Sequence, residues 1–373
     1  MVFAGGGTGG HLYPALAIAE AIKKQHREAD ILFLGTSRGV EANIVPEAGY
    51  ELYLLPVQGL VRRLTWKNLL FPIRLLQSIV KCMKLYRHFD PHLVVGTGGY
   101  VSGPALLAAL WMRIPCVIQE QNSYPGLVNR VLGRFVRAVF LTYEDSRRYF
   151  RRQSRLYVYG NPVRQSVALC RDRSSYEKFG FQRQRKTVLI FGGSQGARRL
   201  NEVVAETLTR LVKTKDWQFL WITGPRWYDR WLEYNGLGEG RIRVIPYLSD
   251  MSEAYAITDL AICRAGATTI AELTLCGIPA IYVPFPFATA DHQSKNAESV
   301  VRAGGGLLIQ ERDLTADSLC KSLEHVLRNE NLLNKMRRAA RALARPEAAS
   351  HIARTCLNII RQESQVIKNE VPS

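Results

Sequence analysis

The 373-residue sequence lacks the cysteine patterns by which a zinc site or a redox dithiol is recognised. Its seven cysteines are scattered, and no Cys-x-x-Cys pair occurs among them. Most of them stand in apolar segments, as buried free thiols of a reducing compartment do. An Asp-x-Asp pair, the usual ligand of a metal-bound diphosphate, is also missing. The sequence therefore predicts neither a metal nor a cofactor.

Long hydrophobic runs are missing too. The most apolar stretch, Tyr100–Ile118, is interrupted by a glycine, two prolines and an arginine, so we expect no membrane-spanning helix. The glycines Gly5–Gly7 interrupt the N-terminal region where the apolar segment of a secretory leader would lie, so we expect no signal peptide either.

Acidic residues are few. The chain has 32 Asp and Glu against 50 Lys and Arg, which gives a formal net charge of +18. Such an excess indicates a polyanionic partner, namely a nucleic acid, an anionic membrane or a phosphorylated substrate. No helix-turn-helix, RNP or zinc pattern accompanies the charge, so a nucleic-acid-binding module is the weaker hypothesis.

The longest segment without any acid is 52–89, where Lys and Arg stand among large apolar residues. A basic amphipathic helix of this kind can lie in a membrane interface, where each basic residue near an anionic leaflet contributes about 1 kcal/mol. A helix packed on the core with a solvated basic face fits the same composition. Composition alone leaves both interpretations open.

The first glycine-rich segment follows a short strand. Residues 1–4 predict the strand, Gly5–His11 the loop and Ala15–Lys24 the helix, an arrangement that can cradle a phosphate. The loop matches G-x-G-x-x-G, but the next predicted strand, Ile31–Leu34, does not end in the acid that a dinucleotide site needs. The Lys-Ser/Thr of a Walker A loop is absent as well. We therefore expect an anion or a sugar here, and neither NAD nor a P-loop nucleotide.

Two further predicted strands in the first half lead into glycine-rich or polar segments. The predicted strand Leu93–Val95 leads into Gly96–Gly103, and Cys116–Ile118 leads into Glu120–Asn122. Ligands of open α/β sheets lie beyond the carboxyl ends of the strands, so both segments are candidate binding loops. The alternation of strands and helices predicts a parallel sheet with right-handed crossovers.

The second half restarts the same plan. A strand over Thr187–Phe191 precedes the glycine segment Gly192–Ala197 and a helix over Arg198–Lys213. Because a polar, charged stretch comes before this strand, we place a domain boundary near Arg164.

This boundary predicts two domains. The N-terminal domain covers residues 1–164, and the C-terminal domain covers residues 165–345. A last helix within 346–362 is expected to return to the first domain, and 363–373 is expected to be a polar, frayed tail.

The segment from Leu260 to Glu298 is the most informative. A predicted strand, Leu260–Cys263, is followed by a glycine and a helix, whose N-terminal N–H groups suit an anion. Glu272, expected on the first turn of that helix, can accept hydrogen bonds from a ribose. The pattern Thr269-x-x-Glu272 equally fits a capping box, in which Glu272 only bonds back to the start of the helix. The segment alone leaves both interpretations open.

Taken together, these motifs resemble the MurG family of peptidoglycan glycosyltransferases over nearly the whole chain. The motifs are Gly6–His11, Gly98–Pro104, Glu120–Asn122, Gly160–Arg164, Gly192–Ala197 and the region from Arg264 to Gln293. The resemblance implies the α/β GT-B fold, with two Rossmann-like parallel-sheet domains separated by a deep cleft. It implies an inverting transfer of GlcNAc from UDP-GlcNAc to the C4 hydroxyl of MurNAc in undecaprenyl-pyrophosphoryl-MurNAc-pentapeptide, which converts lipid I to lipid II.

The resemblance also implies roles for individual residues. The general base would be His11 or Glu120, and Tyr100 would lie on the acceptor side. The residues that would bind UDP-GlcNAc are Thr8, Gly9, Gly10, Asn122, Arg164, Ser194, Leu248, Ala267, Thr268, Thr269, Ile270, Ala271, Glu272 and Gln293.

By the same resemblance, the basic apolar face of residues 60–89 would dock on the membrane. The protein is then expected as a peripheral protein at the cytoplasmic face of the bacterial inner membrane. Its partners would be UDP-GlcNAc, the undecaprenyl-linked muramyl-pentapeptide and an anionic lipid surface, and no nucleic acid. A UDP-GlcNAc 2-epimerase, which acts on the donor alone, and a glycolipid glycosyltransferase are the alternatives with the same fold.

Overall fold

The computed structural model describes residues 1–37, 39–57, 71–151, 153–168, 174–213, 216–288 and 291–370. The chain divides into two compact units. The first unit joins Met1–Arg164 with Arg345–Ser373, and the second covers Gln165–Ala344. Each unit contains one parallel β-sheet with helices on its faces, as the predicted α/β class requires.

The sheet of the first unit has seven strands in the order β3-β2-β1-β4-β5-β6-β7. The central strands are short apolar runs that are buried along their whole length, as parallel strands covered on both faces are. The strands are β1 Val2–Gly5, β2 Leu32–Gly35, β3 Glu51–Leu54, β4 Val94–Gly98, β5 Cys116–Glu120, β6 Ala138–Leu141 and β7 Leu156–Val158.

Two hydrophobic cores lie on the two faces of this sheet, because successive side chains of a strand point to opposite sides. Val2 and Ala4 belong to one core, and Met1 and Phe3 belong to the other. The described helices of the first half are α1 Gly9–Gln25, α2 Glu41–Glu47, α3 Phe71–Phe89, α4 Gly99–Trp111 and α5 Leu127–Leu132. Residues of α3, α4 and α5 share the first core, whereas α1 packs on the second.

The sheet of the second unit has six strands in the order β10-β9-β8-β11-β12-β13. The strands are β8 Thr187–Phe191, β9 Gln218–Ile222, β10 Ile242–Ile245, β11 Leu260–Cys263, β12 Ala280–Tyr282 and β13 Gly306–Leu308. The described helices are α6 Gln165–Ala168, α7 Ser175–Phe179, α8 Arg198–Leu211, α9 Tyr228–Trp231, α10 Leu237–Gly240, α11 Met251–Ala256, α12 Ala267–Cys276, α13 His292–Arg302, α14 Ala316–Leu327 and α15 Glu330–Ala342. Short 3-10 turns lie at Glu144–Tyr149, Gln153–Arg155, Pro225–Trp227, Leu232–Tyr234 and Glu311–Asp313.

The last helix, α16 Ala348–Glu370, belongs to the first unit and packs against α1. The last helix was expected to end by residue 362, but it continues to Glu370. An ion pair of 2.6 Å between Glu363 and Arg137 ties this end to the first unit.

The strand order of both units is that of a doubly wound sheet, in which the order reverses beside the first strand. In the first unit the reversal lies between β1 and β4, and in the second between β8 and β11. Ligands of such sheets bind beyond the strand ends at this reversal. The topology therefore predicts ligand binding at the segments that follow these four strands.

Candidate active site

The second unit presents the N-terminus of α12 directly after β11. The N-cap residue is Gly266, which has no side chain to cap the helix. The N–H groups of a first helical turn have no partner within the helix and favour an anion. Gly266 has ordinary extended angles, φ −66° and ψ 143°, and an added Cβ would lie 3.7 Å from Thr269 Oγ1. Backbone geometry therefore does not require glycine here, and its effect is to leave the helix start uncapped by its own N-cap.

The capping-box interpretation is wrong. Thr269 is the third residue of α12 and Glu272 the sixth, so neither occupies the position that a capping box needs. The expectation that Glu272 lies on the first turn is also wrong, since it lies on the second.

A buried tyrosine holds Glu272 in place. The hydroxyl of Tyr255, on α11, donates to Glu272 Oε2 at 2.7 Å. Burial first and the Glu272 charge second raise the pKa of Tyr255 well above its usual value, so this hydroxyl stays protonated and remains a donor. Tyr255 was missed in the sequence, because nothing marks a contact that spans 17 residues.

Arg264 shapes the segment beyond β12. Its Nη1 donates to the carbonyls of Val283 and Pro284 at 3.1 and 3.0 Å, and its Nη2 pairs with Glu311. Gln293 was expected in a loop, but it is the second residue of α13. Its Oε1 accepts from the Phe285 N–H at 2.9 Å, and within the described residues its Nε2 has no hydrogen-bond partner.

The glycine segment after β8 forms a tight turn. The Gly196 N–H donates to the Gly193 carbonyl at 2.9 Å, with Ser194 inside the turn. Gly196 has φ +71°, and an added Cβ would lie only 2.1 Å from the Thr223 carbonyl oxygen, so only glycine fits. Leu248 is half-buried in the segment between β10 and α11. Because β8, β10 and β11 are parallel, their carboxyl ends bring Ser194, Leu248 and the start of α12 to one edge of the sheet.

In the first unit, helix α1 begins at Gly9, six residues before the predicted start, so Thr8 is its N-cap and Gly10 and His11 lie in its first turn. A buried carboxylate holds the preceding loop. Glu41 Oε2 accepts from the Gly7 N–H at 2.9 Å, and its Oε1 accepts from the N–H and the hydroxyl of Thr36 at 2.9 and 3.0 Å. Sequence reasoning sought an acid at the end of β2 and missed Glu41, which lies six residues beyond it and points to Gly7.

His11 lies against the ends of β4 and β5. Its Nδ1 is 3.1 Å from the Thr97 carbonyl oxygen and 3.0 Å from Gln121 Oε1. The predicted loop Gly96–Gly103 does not exist as a loop, because β4 continues to Gly98 and α4 starts at Gly99. Tyr100, in the first turn of α4, is partly exposed, and burial followed by the Glu41 charge raises its pKa.

Glu120 ends β5 instead of lying in a loop, and only 1% of its surface is exposed. Its Oε1 accepts from the Asn122 N–H at 2.9 Å. Its Oε2 accepts from the Gly126 N–H at 3.0 Å and from Asn129 Nδ2 at 2.8 Å. Both oxygens are thus engaged in shaping the segment that carries Asn122.

Arg164 lies at the end of the N-terminal part of the first unit. Its Nε forms an ion pair of 2.7 Å with Glu20 Oε1 on α1. The side chain predicted to hold the diphosphate is therefore engaged within its own unit.

The first unit exposes a set of apolar side chains, here called the apolar face, on helices α3, α4 and α5 and just beyond α5. Leu76 on α3 is 63% exposed, and Trp111 at the end of α4 is 80% exposed. The other members of this apolar face are Ile73, Val80, Leu107, Leu127, Val131 and Phe135. The predicted docking residues 60–70 lie outside the described part of the chain, whereas 71–89 form α3. None of the helices that the structure describes has the length and apolarity to cross a bilayer.

Comparison with known proteins gives a family. The N-terminal domain of glycosyltransferase family 28 matches residues 1–141, and the C-terminal domain of the same family matches residues 187–352. A relative from Caldanaerobacter subterraneus subsp. tengcongensis is 41% identical over 355 residues, which are 94% of this chain and 97% of the relative. That relative is named UDP-N-acetylglucosamine–N-acetylmuramyl-(pentapeptide) pyrophosphoryl-undecaprenol N-acetylglucosamine transferase.

Solved structures agree with this assignment. The crystal structure of Acinetobacter baumannii MurG is similar with a TM-score of 0.74 and 28% identity, over 96% of this chain and 99% of that chain. A UDP-GlcNAc 2-epimerase from Neisseria meningitidis bound to UDP-GlcNAc is similar with a TM-score of 0.67 over 96% and 98% of the two chains. Its sequence identity is only 15%, so this likeness concerns the fold alone.

Proposed function

This chain belongs to glycosyltransferase family 28, and we propose that it transfers GlcNAc from UDP-GlcNAc to the C4 hydroxyl of MurNAc in undecaprenyl-pyrophosphoryl-MurNAc-pentapeptide. The observation that carries the proposal is the nearly full-length similarity to a transferase of that name. The reaction converts lipid I to lipid II in peptidoglycan synthesis.

We propose that the second unit binds the donor at the edge that holds the ends of β8, β10 and β11. The residues Ala267 to Ala271 present the start of α12 to the diphosphate, and Ser194 contributes from the β8 turn. Glu272, held by Tyr255, accepts hydrogen bonds from the ribose hydroxyls. Backbone groups at Leu248 meet the uracil, and the Nε2 of Gln293 donates to the sugar.

The start of α12 has a catalytic role in this proposal. The C4 hydroxyl of the acceptor attacks the anomeric carbon of GlcNAc. The bond from that carbon to the diphosphate breaks, and UDP leaves. The configuration of the anomeric carbon is inverted. Negative charge grows on the diphosphate during this step. Preorganised N–H groups stabilise such charge, and removal of one donor of this type typically costs about 3–4 kcal/mol.

We assign the general base to Nε2 of His11, which receives the proton of the acceptor hydroxyl. Glu120 positions the Asn122 segment, since its two oxygens already accept four hydrogen bonds, from the backbone and the side-chain amide of Asn122, the Gly126 N–H and the Asn129 amide. Tyr100 remains assigned to the acceptor side. The contacts of Thr8, Gly9, Gly10, Asn122 and Arg164 with the donor stay predictions.

The function is tested with purified protein, labelled UDP-GlcNAc and a lipid I analogue. We expect labelled disaccharide product and free UDP only when the lipid is present. Turnover of UDP-GlcNAc without lipid would indicate an epimerase and contradict the proposal. Replacement of His11 by alanine tests the base, since a fall in kcat of less than about tenfold at saturating donor would rule out that role.

We further propose that the apolar face defined by Leu76, Trp111 and their neighbours docks on the cytoplasmic leaflet of the inner membrane. Helix α3 also carries Arg74, Lys81, Lys84 and Arg87, and basic residues together with exposed apolar ones favour anionic lipid interfaces. Vesicle sedimentation with phosphatidylglycerol should show binding that is lost in a Leu76→Ser, Trp111→Ser variant. The matched control is Leu232→Ser, since Leu232 is 43% exposed in the second unit. Equal binding by the double variant would contradict the proposal.

A further inference from the structure

The side-chain amide of Gln121, just beyond β5, has a fixed orientation. The residue is only 2% exposed. Its Nε2 donates to the Thr97 carbonyl at 2.6 Å and to the Gln119 carbonyl at 3.3 Å, and it also contacts Gln119 Oε1. All three neighbours accept hydrogen bonds, so the amide nitrogen must face them. The Oε1 of Gln121 consequently faces His11.

This orientation determines where the imidazole of His11 carries its proton. Nδ1 lies 3.1 Å from the Thr97 carbonyl oxygen and 3.0 Å from Gln121 Oε1, and both atoms can only accept. Nδ1 must therefore donate. A neutral imidazole has a single N–H, so the lone pair that can accept a proton is on Nε2. Among the described residues, nothing forms a hydrogen bond with Nε2.

The backbone around the ring restricts it further. The Thr97 hydroxyl donates to the His11 carbonyl at 2.8 Å and fixes the start of α1 against β4. Gly98 has φ +105°, and an added Cβ would lie 2.7 Å from His11 Nδ1, so only glycine lets the ring approach this closely.

A second buried glutamine, Gln119, contacts the amide nitrogen of Gln121. Gln119 Nε2 donates to Asn161 Oδ1 at 3.2 Å, which turns Gln119 Oε1 towards Gln121. The order of donors thus runs in one direction, from Gln119 to Asn161 and from Gln121 to Gln119. Every member of such a buried network must find a partner, so the directions are not interchangeable.

We propose that Gln121 is a positioning residue that, with the Thr97 carbonyl, holds His11 as the tautomer protonated on Nδ1 and basic on Nε2. The assignment of the tautomer follows from the contacts of His11. Only the use of Nε2 as the general base rests on the proposed function. Gln121 itself touches neither substrate in this account. Its contribution is to keep the accepting nitrogen of His11 unprotonated and directed away from Thr97.

The tautomer can be measured directly in the full-length protein. Nitrogen-15 NMR of histidine-labelled protein, at about pH 8.5 where imidazoles are neutral, distinguishes protonated from unprotonated ring nitrogens. The chain has seven histidines, and the signals of His11 are identified by their loss in a His11→Gln variant. We expect the Nε2 signal of His11 in the unprotonated range.

The variant Gln121→Met keeps the side-chain length and removes both polar atoms. We expect the two nitrogen signals of His11 to move towards averaged values, because one of its two acceptors is lost. We also expect kcat to fall at least about tenfold, with the KM for UDP-GlcNAc changed less than about twofold. The matched control is Gln218→Met in the second unit. Gln218 is 1% exposed and donates to three acceptors, and its loss should leave the His11 signals and kcat unchanged.

A wild-type spectrum with the proton of His11 on Nε2 overturns the proposal, even if the Gln121 variant does not fold. Unchanged His11 signals in a folded Gln121→Met variant overturn it as well. A different set of results would contradict the proposed base role of His11. In that case His11→Ala retains more than about a tenth of kcat, while the nitrogen signals still report the tautomer.

Discussion

Gly266 offers a test in which protein stability and donor binding should change in opposite directions. It is the N-cap of α12 and has angles that any residue can adopt. An added Cβ finds its nearest neighbour, Thr269 Oγ1, at 3.7 Å, which is ordinary contact distance. Serine should therefore fit, and its hydroxyl should accept a hydrogen bond from the first turn of the helix.

The expected gain in stability follows from two small terms. Serine exceeds glycine as an N-cap by a few tenths of a kcal/mol. Replacement of glycine at a compatible position adds about 0.4–1 kcal/mol by restricting the unfolded chain. A total of about 1 kcal/mol should raise the Tm of a domain of this size by about 2–4 °C.

The expected loss in donor binding is larger. A serine hydroxyl that occupies one N–H of α12 removes one hydrogen bond to the charged diphosphate, which contributes about 1.5–3 kcal/mol. The Kd for UDP should therefore rise about tenfold or more. Gly266→Asp should weaken UDP further, because a carboxylate at the helix start repels the diphosphate.

Calorimetric titration with UDP and a thermal melt measure both quantities. Gly126→Ser is the matched control, because Gly126 is the N-cap of α5 with similar angles, φ −60° and ψ 152°, and open space around it. It should be similarly stabilised and bind UDP normally. A Gly266→Ser protein that melts higher and binds UDP as tightly as the wild type would refute the assignment of the diphosphate to α12.

Three other variants or treatments probe separate parts of the account. Tyr255→Phe should raise the KM for UDP-GlcNAc about tenfold through the loss of one charge-assisted hydrogen bond, with kcat less affected; an unchanged KM would show that Tyr255 does not position Glu272 for the ribose. Glu41→Gln should lower the free energy of unfolding by about 1–3 kcal/mol, because the amide cannot accept from both Gly7 and Thr36 as the carboxylate does; urea titration measures this, and an unchanged midpoint would contradict it. Burial raises the pKa of the Cys82, Cys116 and Cys356 thiols to about 12, so iodoacetamide at pH 8 should label them only after denaturation, and their labelling in the folded protein would contradict the burial.

The strands at the site could be located from the sequence. β8 and β11 have the predicted bounds, Thr187–Phe191 and Leu260–Cys263, because each is an apolar run that ends at a glycine or charged segment. Helix starts were less accessible. α1 begins within the glycines at Gly9, where local propensity opposes a helix and packing against β4 overrides it.

The side-chain contacts that hold the candidate site could not be predicted from the sequence. Glu41 reaches Gly7 across 34 residues, and Gln121 reaches His11 across 110 residues. Glu41 belongs to no motif, and the motif Glu120–Asn122 does not show that its middle residue points to His11; each of the two residues lies near the end of a different strand. Only the parallel sheet, which gathers strand ends at one edge, brings such residues together. The motifs therefore predicted which loops matter but not which side chains fix them.

In the proposed function, the backbone amides at the start of α12 hold the donor diphosphate. Hydrogen exchange followed by mass spectrometry, on peptides that cover Ala265–Leu273, measures those amides with and without saturating UDP. Exchange in this segment is expected to slow on addition of UDP. Exchange that stays unchanged there, while UDP demonstrably binds, would contradict it.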